Sequence, residues 1–247
     1  MGEAQVNSAP LQQIPRGVPV PTLRLVELAA VDQSLHSLLD PAERARADAF
    51  ASATARREFV AGRVAQRLMA AELLGRRPEA LQAQYWCPDC GVAPVPSHGR
   101  PGYLADGEPV ALAMSLSRSG GWVLLAMTPS AGVRLGIDLQ RTADVAFAGF
   151  DDVALSRAEK VLLAGVPPQE RTSWRASVWA RKEALAKVSG RGLRTEPADI
   201  EAFPAPESGV GVWDVRASQL PLPGGFAAAV AVSAGGVAGA VPDTATG

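Results

Sequence analysis

The chain has 247 residues, of which 47% are apolar and 20% charged, and a formal net charge of −1. That composition supports one large packed domain or two small ones rather than wholesale disorder, and the near-zero charge argues against a nucleic-acid binder relying on bulk positive charge. No apolar run approaches the roughly 20 residues needed to cross a bilayer, and the opening MGEAQVNSAPLQQIP lacks the basic start and apolar stretch of a secretory signal, so a soluble cytoplasmic protein is expected.

Residues 1–20 are Pro-rich and polar and read as a loose lead-in. Leu23 to Leu28 roughly alternate apolar with polar, as a strand does. Pro41 opens a long helical stretch to about Gly75, with Pro at the first turn and Gly at the stop. Phe59, Val60, Val64, Leu68, Met69 and Leu73 form an apolar stripe along it; Arg56, Arg57, Arg63 and Arg67 lie beside the stripe, where a solvated basic face is an equal alternative to a binding role. His36 reads as a surface residue. Residues 87–110, punctuated by Cys, Pro and Gly, read as a long loop. The chain's two cysteines, Cys87 and Cys90, fall there with His98 nearby. One pair cannot make a disulfide framework and one CxxC is half a structural zinc site, so a turn carrying two thiols is the simpler reading.

Ala111 to Ser117 and Trp122 to Met127 are strand-like runs around Arg118-Ser119-Gly120-Gly121, a hairpin pattern. Val133 to Gln140 is a further strand. Within Asp151 to Ala164 a helix is signalled by Ser156 with Glu159 three residues on, a capping box. Pro167 starts another helix, running to about Gly190. Val210 to Val215 and Phe226 to Val232 look like closing strands, and the small residues after them are expected to fray. The order strand, helices, strands occurs twice. It predicts an α+β protein of two similar halves, residues 1–128 and 129–247, with a seam near Pro129 where a site can lie.

With two histidines in the chain, acid–base or metal chemistry has to rest on carboxylates and cations. Asp138 ends the apolar strand Leu135-Gly136-Ile137-Asp138-Leu139-Gln140; a carboxylate near a core must be paired or bind a cation, although an exposed strand end would also tolerate it. Of only three lysines, Lys182 and Lys187 stand five residues apart. At helical spacing Trp179, Lys182, Glu183 and Lys187 share an arc of roughly 140°. An ordinary Glu-to-Lys pair on a solvated face is the plain alternative, weakened by the indole in the same arc. Together the two segments suggest that Asp138 and Glu183 hold a hard divalent cation through oxygen while Lys182 and Lys187 neutralise phosphate.

Gly136-Ile137-Asp138, followed some forty residues later by Trp179-Ala180-Arg181-Lys182-Glu183-Ala184-Leu185-Ala186-Lys187, resembles the paired signature of the Sfp-type 4′-phosphopantetheinyl transferases. The likeness extends to Arg57-Glu58-Phe59-Val60-Ala61-Gly62-Arg63, to Gly99-Arg100-Pro101, to the hairpin Ser115-Leu116-Ser117-Arg118-Ser119-Gly120-Gly121, and to Ser156-Arg157-Ala158-Glu159, with Leu155 replacing the family's Phe. The resemblance implies a monomer of two pseudo-symmetric α+β halves with coenzyme A bound across the seam. It implies Mg²⁺ on Asp138 and Glu183, contacts from Lys187, Ser117 and Arg118 to coenzyme A, and contacts from Arg57, Arg63 and Arg100 to its nucleotide end. Glu159 becomes the candidate general base. A carrier-protein serine would attack the β-phosphorus and 3′,5′-ADP would leave.

Two positions depart from the pattern. Gln140 stands where the family often has a third acid; an amide oxygen or a water can fill a Mg²⁺ position. Arg118 stands where the hairpin usually has histidine, keeping a cation and losing pH sensitivity. These departures leave a second reading open, a catalytically weakened scaffold that holds coenzyme A or a carrier protein. Phe147 and Phe150 are either local packing or a docking face for a carrier helix.

Overall fold

Thr22–Glu27 forms strand β1, which pairs with a partner a hundred residues on. The structure, a computed structural model, describes residues 18–87, 91–92, 100–130, 132–190, 195–204 and 208–234; the expected loose lead-in before residue 18, Cys90, His98, Gly99 and the expected frayed tail lie outside them.

The stretch expected as one helix from Pro41 to Gly75 is two, α1 (Pro41–Asp48) and α2 (Ala53–Leu74). The break has a local cause: Ser52 accepts the Ala55 N–H as a fresh N-cap, and Phe50 turns inward to sit 5.3 Å from the Phe59 ring. Gly75, at φ 61°, ends α2 in the left-handed cap expected of it. Arg67 does not belong to a solvated face. It is 1% exposed, donates to Asp40 (2.9 Å), Glu43 (2.8 Å) and the Leu81 carbonyl, and Tyr85 donates to the other Glu43 oxygen at 3.2 Å.

The expected loop at 87–110 holds most of a sheet instead. Strands β2 (Leu81–Cys87), β3 (Gly91–Val92), β4 (Arg100–Ala105) and β5 (Glu108–Pro109) run in the order β3-β2-β4-β5, all antiparallel. Two of these are two-residue edge strands, and Asp106-Gly107, both at positive φ, make the β4–β5 turn. The Gly and Pro residues mark turns and sheet edges, the places strands tolerate them. Leu81, Tyr103 and Ala105 join Ala61, Ala65 and Met69 of α2 in one core.

β6 (Ala113–Ser119) and β7 (Trp122–Thr128) form the expected hairpin, with Gly120-Gly121 at φ 55° and 81° as its two-residue turn. With β1 they make a sheet ordered β1-β7-β6. The last sheet is β8-β10-β9, from β8 (Val133–Arg141), β9 (Val210–Asp214) and β10 (Phe226–Ala234). Between β8 and β9 run α3 (Phe150–Ala154), α4 (Arg157–Ala164), which carries the expected Ser156/Glu159 capping box, and α5 (Arg171–Ser189). A 3₁₀ turn, Pro168–Glu170, occupies the first part of the stretch expected to be helical from Pro167.

β8 is covered on both faces. Leu135, Ile137 and Leu139 pack on Leu124 and Ala126 of β7, while α5 lies over the other face through Ala180, Ala184 and Val188 against Ala229 and Ala231. The architecture is α+β. No helix among the described residues is long and apolar enough to cross a membrane.

Candidate active site

β6 and β8 lie side by side without joining their sheets, and serine side chains bridge them. The Ile137 N–H donates to Ser115 Oγ at 3.1 Å, and Ser117 Oγ donates to Asp138 Oδ1 at 2.7 Å. Asp138 is buried on the β8 face that α5 covers. What lets α5 come so close is Gly136: a Cβ built there would lie 1.9 Å from the Ala184 carbonyl oxygen. Only a residue with no side chain fits under the helix.

From that close-lying helix Lys187 reaches back to β8. Its ammonium donates to the Ile137 carbonyl at 2.7 Å and to Asp138 Oδ1 at 2.8 Å. Asp138 Oδ1 thus takes two donors, and Oδ2 has none among the described residues. Glu183, one turn before Lys187, is half-buried and has no hydrogen-bond or ion-pair partner among the described residues. Burial pushes its carboxyl above the usual range and the Asp138 charge pushes the same way, against the pull of Lys187. Two carboxylates far apart in sequence therefore lie near enough to repel one another, with one ammonium between them in charge balance.

Residues 134–223 match the family model of the 4′-phosphopantetheinyl transferase superfamily. No curated protein matches the chain. The matched span contains Asp138, Gln140, Glu159, Lys182, Glu183 and Lys187, and leaves α2 and the β6–β7 hairpin outside it. At the level of the family, the match supports phosphopantetheinyl transfer.

Two residues expected to touch substrate do not reach the surface. Lys182 and Glu159 are both fully buried and paired at 2.6 Å. Lys182 also donates to the Pro197 carbonyl (2.8 Å), while Glu159 accepts from the Ser156 N–H (2.8 Å) and the Ala202 N–H (3.0 Å). Every oxygen of Glu159 is engaged, so it is a structural clasp between α4, α5 and the 197–202 segment rather than a base open to a serine hydroxyl. Lys182 and Lys187 sit at opposite edges of the arc they share, which sends one inward to Glu159 and the other to Asp138.

Gln140 follows Asp138 by two residues on the same strand; its amide Nε2 donates to the Arg141 carbonyl at 3.0 Å. Among the described residues no three His, Cys, Asp or Glu side chains gather as a metal cluster. The oxygen donors available to a cation here are Asp138, Glu183 and the Gln140 amide. A hard cation that keeps several waters suits so sparse an all-oxygen set, and the mutual repulsion of Asp138 and Glu183 gives it a charge to neutralise.

Lys187 lines two adjoining cavities. One, of about 680 Å³, is bounded by Ser117, Arg118 and Arg141 as well; the other, about 350 Å³, by Arg63, Tyr85 and Pro101. Arg46, Arg63 and Arg118 place their guanidinium carbons 5.9, 5.3 and 5.9 Å from the Phe59 ring centroid, and none has an ion-pair carboxylate among the described residues. Burial lowers the Arg118 pKa from its ordinary value, and Arg63 and Arg46 push it the same way. Arg57 instead bonds Thr54 Oγ1 at 3.1 Å on the outer face of α2 and lines neither cavity. The side chain of Arg100 lies outside the described residues. Phe147 is exposed and meets the buried Phe150 edge-on at 5.5 Å.

Sequence reasoning missed Arg46 and Arg141. Neither position carries a local signal: Arg46 becomes significant only when α1 turns back along α2, and Arg141 only when the β6–β7 hairpin packs beside the end of β8.

Proposed function

We propose that the protein is an Sfp-type 4′-phosphopantetheinyl transferase that moves the phosphopantetheine arm of coenzyme A onto a serine of an acyl or peptidyl carrier protein, with Mg²⁺, as a monomer in the cytoplasm. The observation that carries the reading is the meeting of Asp138 and Glu183 beside Lys187, next to cavities lined by Ser117, Arg118 and Arg63. The two halves, divided at 128/129, would grip coenzyme A between β6 on one side and β8 with α5 on the other.

Asp138 and Glu183, with Gln140 or water completing the set, would hold Mg²⁺, which supplies charge neutralisation to the pyrophosphate and its leaving group. Lys187, held in place by the Ile137 carbonyl, faces the phosphate oxygens as a fixed cation. Ser117 holds the Asp138 carboxylate in orientation through its hydroxyl. Arg46, Arg63 and Arg118 take the nucleotide end. The serine oxygen attacks the β-phosphorus, the bond from that phosphorus to the bridging oxygen breaks, and its electron pair leaves with 3′,5′-ADP. Glu183, which has no donor among the described residues, accepts the serine proton. The exposed Phe147, Val153, Val161 and Leu162 around α3 and α4 offer the carrier an apolar face.

The test is direct. Incubation with coenzyme A, Mg²⁺ and an apo carrier protein is followed by intact-mass spectrometry of the carrier. A gain of one phosphopantetheine that disappears with Asp138→Ala supports the reading; no gain on any fatty-acid, polyketide or peptide-synthesis carrier rejects it.

A further inference from the structure

Arg141 ends β8 at the mouth of the larger cavity, where the residue was assigned no role from sequence. Its stem is built into place. At Gly120 an added Cβ would lie 2.8 Å from Arg141 Cδ and 2.7 Å from Phe226 Cζ, so the hairpin turn leaves room for both side chains by lacking one of its own. The head is held differently. Arg141 donates from Nε and Nη2 to the two Asp144 oxygens at 3.1 and 2.6 Å, and both side chains are more than two-fifths exposed. Both residues line the cavity that Arg118 and Lys187 also line.

A fork bound to a carboxylate has the geometry that binds a phosphate. An exposed ion pair of this kind shifts an equilibrium by less than about fivefold, so a multiply charged phosphate already gripped by Lys187 and Arg118 outcompetes Asp144. Resting on the transferase reading, we propose that Arg141 is a coenzyme A ligand held in reserve: Asp144 occupies its guanidinium in the empty protein and releases it to a phosphate of the incoming substrate. Arg118 from β6, Arg141 from β8 and Lys187 from α5 then close on the phosphates from three elements, and Asp144 sets how strongly.

Coenzyme A dissociation constants, measured by titration calorimetry for the wild type, Arg141→Gln, Asp144→Asn and the double variant, test this. Arg141→Gln weakens binding about tenfold. Asp144→Asn tightens it by up to about fivefold, and the double variant binds as Arg141→Gln does, since there is no guanidinium left to release. The same series with 3′-dephospho-coenzyme A tells which phosphate is met: an undiminished Arg141→Gln loss assigns the pyrophosphate, an abolished one the 3′-phosphate. Wild-type affinity in Arg141→Gln, or an Asp144→Asn gain that persists without Arg141, overturns the proposal while leaving the transferase reading intact. A wild type that binds no coenzyme A overturns both.

Discussion

Ser117 donates to Asp138 across the junction of two sheets that share no backbone ladder, at 2.7 Å. The same oxygen takes Lys187 at 2.8 Å, so one edge of the carboxylate is committed to the protein and the other has no donor among the described residues. Glu183, close enough to feel the Asp138 charge, has no donor among the described residues. An arrangement that leaves a half-buried carboxylate unpaired next to another costs stability, and such costs are tolerated where a ligand repays them.

Glu183→Gln separates the two effects. Because burial and the Asp138 charge raise the Glu183 pKa, its ionised form is disfavoured in the fold, and Glu183 contributes more stability as pH falls through that raised value than above it. The variant is expected to match or exceed the wild-type melting temperature at neutral pH in calorimetry without added metal, while transfer activity falls by about two orders of magnitude or more. A variant that melts lower and keeps its activity would contradict the assignment.

The Lys182–Glu159 pair should behave in the opposite way. Glu159→Gln or Lys182→Met leaves a buried charge uncompensated, at a cost of about 3–5 kcal/mol in urea unfolding, whereas the double replacement should recover much of that loss. Were Glu159 the base, Glu159→Gln would instead lose turnover at unchanged stability.

Gly136→Ala is expected to be among the most damaging single-methyl changes in the chain. The new carbon would stand 1.9 Å from the Ala184 oxygen, so α5 has to lift off β8. Overpacking of this kind costs about 1–3 kcal/mol where side chains can yield, and here the obstacle is main chain. Near-complete loss of transfer, with Lys187 displaced from Asp138, is the expected result of assay and crystallography.

Acid stability offers a check remote from the site. Arg175 holds Asp151 by two hydrogen bonds at 2.6 and 2.7 Å and lowers its carboxyl below the ordinary range. A depressed carboxylate stabilises the fold above its unfolded-state pKa, and that contribution is lost as pH falls through the folded-state value. Arg175→Gln is therefore expected to cost stability, under about 1 kcal/mol for a partly exposed pair, at pH 6, and the difference from wild type should vanish below the usual carboxylate range in pH-resolved denaturation curves.

The Asp138 strand, the α5 helix and the hairpin with its Gly-Gly turn were all legible in the sequence, because each depends on local periodicity or on residues that only one backbone conformation suits. The direction of Lys182 was not. A 140° arc is wide enough to straddle buried and open faces, and only the packing of α4 against α5 decides which way each edge points. Strands β3 to β5 were hidden for a related reason: two are two-residue edge strands and β4 opens on Arg100-Pro101-Gly102, the same punctuation as a loop, and pairing with β2 across 14 to 24 residues is not a local property. The break at Ser52 was signalled only by Ser52 itself, a good N-cap residue set among alanines that a continuous helix would also favour.

The contact between α5 and the last sheet is made of Ala180, Ala184, Ala229, Ala231 and the bare main chain of Gly136, joined by the β-branched Val188 and Val212. Methyl groups and backbone have no alternative rotamers to hop among and β-branched side chains have few, so the spacing between helix and strand is closely fixed. Glu183 and Lys187 are thereby mounted on a hard bearing rather than a cushion of long side chains, and thermal motion reaches them mainly through their own torsions.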